Sequence, residues 1–195
     1  LITGDLVDGR VDKHAADVAP LAKLRARNGV YAILGNHEYY SNAGEWARAF
    51  GDLGLHLLIN QHAVISRDGA QLVIAGVSDP AAARFDAAMP NLTAALSGAD
   101  RKAFTVLMAH RPGDAAAHAA AGVDVQLSGH THGGQIAGIH LLTRLANEGF
   151  VSGLYTVGSM QLYVSNGTGL WAGFPLRLGR PSEITEMTLR RGIQK

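Results

Sequence analysis

Four short apolar runs in this chain each stop at a glycine or a tight turn, and each turn carries a residue able to bind a metal. The runs cover residues 1–3, 30–34, 104–108 and 123–127, and just beyond them lie Asp5, Asn36, His110 and His130. Apolar runs of this length, broken by Gly and separated by helix-patterned segments, predict strands of an α/β sheet. In such sheets function collects beyond the carboxyl ends of the strands. The same residues therefore mark both the strand ends and the site.

Between the runs, residues 13–27 have helical spacing, with Val18, Leu21 and Leu24 three apart and Asn28-Gly29 as a stop. Pro20 lies inside that stretch, so the helix is expected to start late or bend there. Ser41 or Asn42 is a candidate cap for a helix over 43–53, with Trp46 and Phe50 on its buried face. Residues 55–65 and 70–77 read as two strands joined through Arg67-Asp68-Gly69, a hairpin signal. Residues 92–96 and 114–121 suggest further helices, 154–157 and 161–164 a second hairpin, and 183–189 a last strand. At 195 residues with no repeat or linker, the chain is expected to be a single domain.

Composition removes several function classes. A net charge of +1 gives no electrostatic case for binding nucleic acid. The absence of Cys excludes disulfides and thiolate metal sites. Imidazole, carboxylate and amide oxygen together suit a first-row ion such as Mn, Zn or Fe. Asp5 has two oxygens and can bridge a pair of ions about 3.5–4 Å apart. Such a pair clamps a phosphoryl oxygen and acidifies a water that attacks in line. His37, one residue past Asn36, is the candidate for stabilising charge and protonating the leaving oxygen. Glu38 is a candidate for orienting His37 or a ligand from behind. Asp8 reads as a turn residue. His140 is a weak candidate for reaching the cleft, whereas His14, His56, His62 and His118 are given no role. Arg111 and Tyr39 are candidates for touching substrate, each set against a plainer reading as a solvated strand end and a packed aromatic. Tyr40 carries the same pair of readings as Tyr39, and Trp171 with Phe174 is a candidate apolar lip or part of the core.

The blocks Gly4-Asp5, Gly35-Asn36-His37-Glu38, His110 and Gly129-His130-Thr131-His132 resemble the calcineurin-like metallophosphoesterase family. Four of its five motif blocks stand in order across most of the chain. The resemblance implies a two-sheet β-sandwich flanked by helices, in α/β/β/α layers, and two divalent metal ions. It makes Asp5 the bridge, gives Asn36, His110 and His130 to one ion and His132 to the other, and makes His37 the acid. The activity implied is hydrolysis of a phosphodiester or phosphomonoester. The family's Asp-any-His block is not found before Asp5, so the first strand is expected to be lacking, one ion to be held well and the other weakly. That gap keeps open an alternative, a catalytically silent metal-binding or protein-interaction module. It also raises self-association through an exposed sheet edge. The runs Gly35 to Tyr40, Gly129 to Gln135, and the tail through Asn166 and Arg177 resemble a bacterial branch. For that branch a membrane-anchored or exported parent and a phosphodiester or lipid-linked phosphate substrate are expected.

Overall fold

The computed structural model describes residues 1–171, 173 and 175–190. Helix α1 (Val11–Val18) leads through a 3₁₀ turn (Ala19–Lys23) to strand β1 (Tyr31–Ala32). Helices α2 (Asn36–Tyr40) and α3 (Ala43–Asp52) follow, then β2 (His56–Leu57), β3 (Gln61–Arg67) and β4 (Ala70–Gly76). After a 3₁₀ turn (Pro80–Arg84) come α4 (Leu92–Ala95), β5 (Phe104–Met108), α5 (Ala115–Ala120) and β6 (Val125–Ser128). Helix α6 (His140–Ala146) and the hairpin β7 (Gly153–Val157) and β8 (Met160–Val164) complete the set.

Two sheets result. The larger has strand order β3-β4-β5-β6-β8-β7, parallel from β4 through β8 with an antiparallel strand at each end. The smaller pairs β1 and β2 in parallel, with Ile2 bridged to Ala32 beside them. Alternation along β4 shows how they stack. Val73 and Ala75 face a cluster that includes Leu107 and Leu162 and the α4 residue Ala95. Ile74 faces the opposite way, onto Ile33 and Leu58, the residues that directly follow the two strands of the smaller sheet. Beyond that sheet, Ala32 and Leu34 pack with Val18 of α1 and with Trp46 and Phe50 of α3. The layers are therefore helix, sheet, sheet, helix, with the larger sheet mixed rather than all parallel. Gly76 permits the close approach of the two sheets: a Cβ there would lie 2.6 Å from Ile33 Cγ2 and from Leu58 Cβ.

Several local expectations are corrected. Pro20 neither delays nor bends a long helix. The α-helix begins early, at Val11, ends at Val18, and Pro20 occupies the start of the 3₁₀ turn, where its missing N–H costs no α-helical bond. The run 55–65 is two strands in two different sheets, separated at Asn60, whose φ is 54°. The 67–69 hairpin holds, with Asp68 and Gly69 both at positive φ as a tight turn between twisted strands requires. Asn42, rather than Ser41, caps α3 by accepting from Glu45 N–H at 3.2 Å. Residues 183–189 form no strand. Their polar groups are used differently: Tyr163 Oη donates to the Glu183 carboxylate at 2.9 Å, and Asn166 N–H donates to the same oxygen at 3.0 Å.

Candidate metal centre

The parallel strands and the Ile2 bridge all deliver their turns to one edge. Gly4-Asp5 follows Ile2, Gly35-Asn36 follows β1, Ala109-His110 follows β5 and Gly129-His130 follows β6. There the structure brings three donor atoms around one ring nitrogen. His110 Nε2 lies 3.0 Å from Asp5 Oδ2, 3.2 Å from Asn36 Oδ1 and 3.2 Å from His130 Nδ1. His110 Nδ1 lies 2.7 Å from the Thr3 carbonyl oxygen, which can only accept, so the Nδ1 proton is assigned. In the neutral ring Nε2 then carries a lone pair, and four electron-pair donors face one another. Such a set calls for a positive charge at its centre. Ligands held about 2.1 Å from a tetrahedral ion stand roughly 3.4 Å apart, close to the spacings observed. The residues therefore fit a divalent ion, with Thr3 orienting the His110 ligand through the far ring nitrogen.

The electrostatics favour a positive charge at this centre. Burial pushes the Asp5 carboxyl up, but the adjoining His110 and the His37 amide outweigh it and hold the group down at about 2. Burial lowers His110, and the Asp5 carboxylate overrides it, so His110 lies above its ordinary value. His130 is pushed down to about 3 by burial and by the charges of His110 and Arg111. Asp5 and His130 are thus unprotonated donors at neutral pH. Both sit in the left-handed backbone region, with φ of 55° and 66°. That conformation is disfavoured for residues with a Cβ and is found where a surrounding structure enforces it.

His132 lies apart from this group. It lines the same cleft, its φ is 50°, and burial lowers its pKa. Arg177 holds its backbone: the guanidinium donates to the carbonyls of His132 at 2.8 Å, Asn166 at 2.6 Å and Gly169 at 2.7 Å. Arg177 was visible in the sequence only as part of the tail resemblance, with nothing to indicate its acceptors.

Glu38 is fully buried, and its hydrogen bonds come from backbone amides rather than from the His37 ring. Its carboxylate accepts from four backbone amides: Leu6 at 2.6 Å, Gly35 at 2.7 Å, Asp5 at 2.9 Å and Val7 at 3.3 Å. It therefore ties the Asp5 turn to the Gly35 turn and orients Asp5 through the backbone. Burial and the neighbouring Asp5 push its pKa up to about 7, against the pull of those amides.

His37 N–H donates to Asp5 Oδ1 at 2.9 Å, while the ring lies in the cleft wall. Its Nδ1 is 2.9 Å from Asp8 Oδ1. Asp8 stands in a bend, as its turn reading has it, and its side chain also meets the His37 ring. The available signal was its place three residues beyond Asp5 in the same turn. With Asp8 on Nδ1, Nε2 is the atom left to face a substrate. Replacing Asp8 by Asn is expected to lower kcat roughly 10- to 100-fold while bound metal stays constant, read by steady-state kinetics and elemental analysis. An unchanged kcat would remove Asp8 from His37's function.

The substrate-contact candidates divide between the core, the cleft and the cavity beside it. Tyr39 is 3% exposed and packs in the helix-side core, so the plainer reading applies. Tyr40 instead lines the cleft, its ring 5.5 Å from His37. Arg111 lies outside the main cleft and lines the neighbouring cavity together with His110 and His130. It forms a two-pronged ion pair with buried Asp79, at 2.9 and 3.1 Å, because a buried carboxylate needs such a partner. Trp171 lines the cleft and Phe174 lies outside the described residues. His140 Nδ1 accepts from Gly138 N–H and is absent from the cleft wall.

The sequence profile of the calcineurin-like phosphoesterases matches residues 1–134. A Bos taurus transmembrane protein with a metallophosphoesterase domain is 38% identical over 97% of this chain and 45% of its own length. An uncharacterized metallophosphoesterase of Helicobacter pylori is 37% identical over 97% of this chain and 50% of its own. The chain spans about half the length of these curated relatives. Among solved structures, a Staphylococcus aureus protein named as a candidate 5′-nucleotidase superposes with a TM-score of 0.52. It is 13% identical, covers 92% of this chain and 43% of its own, and shows likeness of fold alone. With its layered fold and profile match, the chain belongs to the calcineurin-like phosphoesterase family, a family of metal-dependent phosphoesterases.

Proposed function

We propose that this chain hydrolyses a phosphate ester at the cluster of Asp5, Asn36, His110 and His130, with residues 1–195 acting as one catalytic domain. The convergence of three donor atoms on His110 Nε2 carries this reading. These four residues would hold one divalent ion, and Asp5 with His132 would contribute to a second, both drawn from Mn, Zn or Fe. Bound ions would supply Lewis-acid polarisation of the phosphoryl oxygen and acidify water. The chain's own residues do the rest. Asp5 is fixed by the His37 amide, and the Asp5 turn is fixed by Glu38. His37, oriented by Asp8, gives its Nε2 proton to the departing oxygen.

The direct test measures hydrolysis of p-nitrophenyl esters by Mn²⁺-loaded protein alongside metal content. Wild type is expected to lose activity on chelation, and His110→Ala is expected to lose the ion and at least about 100-fold in kcat/KM. Full hydrolysis by His110→Ala would place the chemistry elsewhere. Tight metal binding with no turnover on any ester would instead favour the silent binding module.

A membrane-proximal substrate, lipid-linked in the finer reading, is favoured by one surface. On α6, at the cleft rim, Leu141, Leu142 and Leu145 are 57%, 68% and 81% exposed. The Bos taurus relative is named a transmembrane protein, although no helix among the described residues is long and apolar enough to cross a membrane. The joint change Leu142→Asp and Leu145→Asp is expected to reduce co-sedimentation with phospholipid vesicles by roughly tenfold. Equal sedimentation would exclude this helix as the contact.

A further inference from the structure

Two cavities border the metal-binding residues. The first, about 370 Å³, is lined by Asp5, Asn36 and His37 and walled by Tyr40, Ile136 and Trp171. The second, about 330 Å³, is lined by His110 from the cluster and by Arg111, Asp114, His118 and Glu148. His130 and Asn147 line both, so the cavities share a wall that includes a candidate metal ligand. Each has room for a sugar- or aryl-sized group.

A phosphomonoester has one organic substituent and needs one such space. A phosphodiester has two. The two cavities also differ in chemistry. The first offers aromatic and aliphatic walls beyond the donor atoms. In the second, the Arg111 charge is neutralised by its pair with Asp79. One ring nitrogen of His118 is taken by Gln126 Oε1 at 2.8 Å. The exposed carboxylates of Asp114 and Glu148 then leave that cavity acidic in balance, which repels an anionic substituent and suits a hydroxylated or cationic one.

We infer that the substrate is an asymmetric phosphodiester, with an apolar or aromatic substituent in the first cavity and a polar, non-anionic one in the second; this rests on the phosphoesterase reading above. The placement also sets which bond breaks. His37 lines the first cavity and not the second. A water oxygen bonds to phosphorus, the P–O bond to the apolar substituent breaks, its oxygen takes the His37 proton, and the proton shed by the water restores His37. The products are an apolar alcohol and a polar phosphomonoester.

The test compares p-nitrophenyl phosphorylcholine, methyl p-nitrophenyl phosphate and p-nitrophenyl phosphate on the Mn²⁺-loaded full-length protein. The choline diester is expected to exceed the monoester about tenfold or more in kcat/KM, releasing nitrophenol and phosphocholine. Ala146→Trp, at the exposed end of α6 where it lines the second cavity, is expected to lower the ratio of diester to monoester kcat/KM about tenfold. Glu148→Lys, which reverses a charge without filling space, is expected to lower the ratio of choline to methyl diester about tenfold. Phosphocholine binding by equilibrium dialysis is expected to weaken in both variants. A monoester preference, or both ratios unchanged in the two variants, overturns the inference while leaving the phosphoesterase reading intact. No hydrolysis of any of the three esters by metal-loaded protein overturns both.

Discussion

Glu38→Gln is expected to lower the unfolding temperature by roughly 5–20 °C and to weaken metal binding together with it. The carboxylate is 0% exposed, and its two oxygens serve two amides each. One oxygen takes Leu6 and Val7, and the other takes Asp5 and Gly35. Gln keeps one oxygen and replaces the other with an NH₂ group. In either orientation two backbone N–H groups meet a donor and have no water to turn to. Each buried, unpaired donor costs about 1–3 kcal/mol. Two of them give about 2–6 kcal/mol, and about 2–4 °C per kcal/mol is expected at this chain length. The amides released belong to the turns that carry Asp5 and Asn36, so the donor cluster loosens with the fold. Thermal unfolding with and without Mn²⁺ checks both parts. An unchanged melting temperature would show that the four amides find other acceptors.

Gly35→Ala is expected to cost at least about 100-fold in metal affinity, with a destabilisation of about 1–3 kcal/mol. The backbone here is extended, with φ −97° and ψ −174°, which alanine adopts without strain. The obstacle is space. A Cβ would lie 2.2 Å from Asp5 Oδ1 and 2.7 Å from both Asp5 N and His110 Cε1. Two of the donors must move to admit one methyl group. Gly54 has nothing within 4 Å of a built Cβ but a φ of +88°, so Gly54→Ala separates backbone strain from crowding at the site. Calorimetric titration with Mn²⁺ is expected to show the loss in Gly35→Ala and near-normal affinity in Gly54→Ala. Normal affinity in Gly35→Ala would mean that the two turns separate without disturbing the ligands.

Much of the site was legible in the chain because its signals are local. Asp5, Asn36, His110 and His130 stand two to four residues beyond a paired strand residue, and strand ends are marked by apolar runs and turn residues. The parallel order of β4, β5, β6 and β8 then brings the turns to one edge. Local signals misled where pairing partners decided the outcome. The run 55–65 is uniformly strand-like, yet Asn60 divides it between two sheets. Residues 183–189 alternate as a strand does, yet their polar groups bond to Tyr163 and Asn166 rather than forming a ladder. Helix α6 had no apolar stripe facing a core: Leu141, Leu142 and Leu145 face outward, so the usual burial signal was absent.

By itself the sequence determined which residue types reach the sheet edge, and with them the family and its chemistry, because strand length, turn propensity and ligand type are properties of short segments. Only the tertiary structure decided the connections made across long separations. Asp8 holds His37 from 29 residues away, Asp79 captures Arg111 from 32, and Arg177 grips the His132 carbonyl from 45. A charged side chain takes whichever partner the packed layers bring within about 3 Å, and no local pattern records that choice.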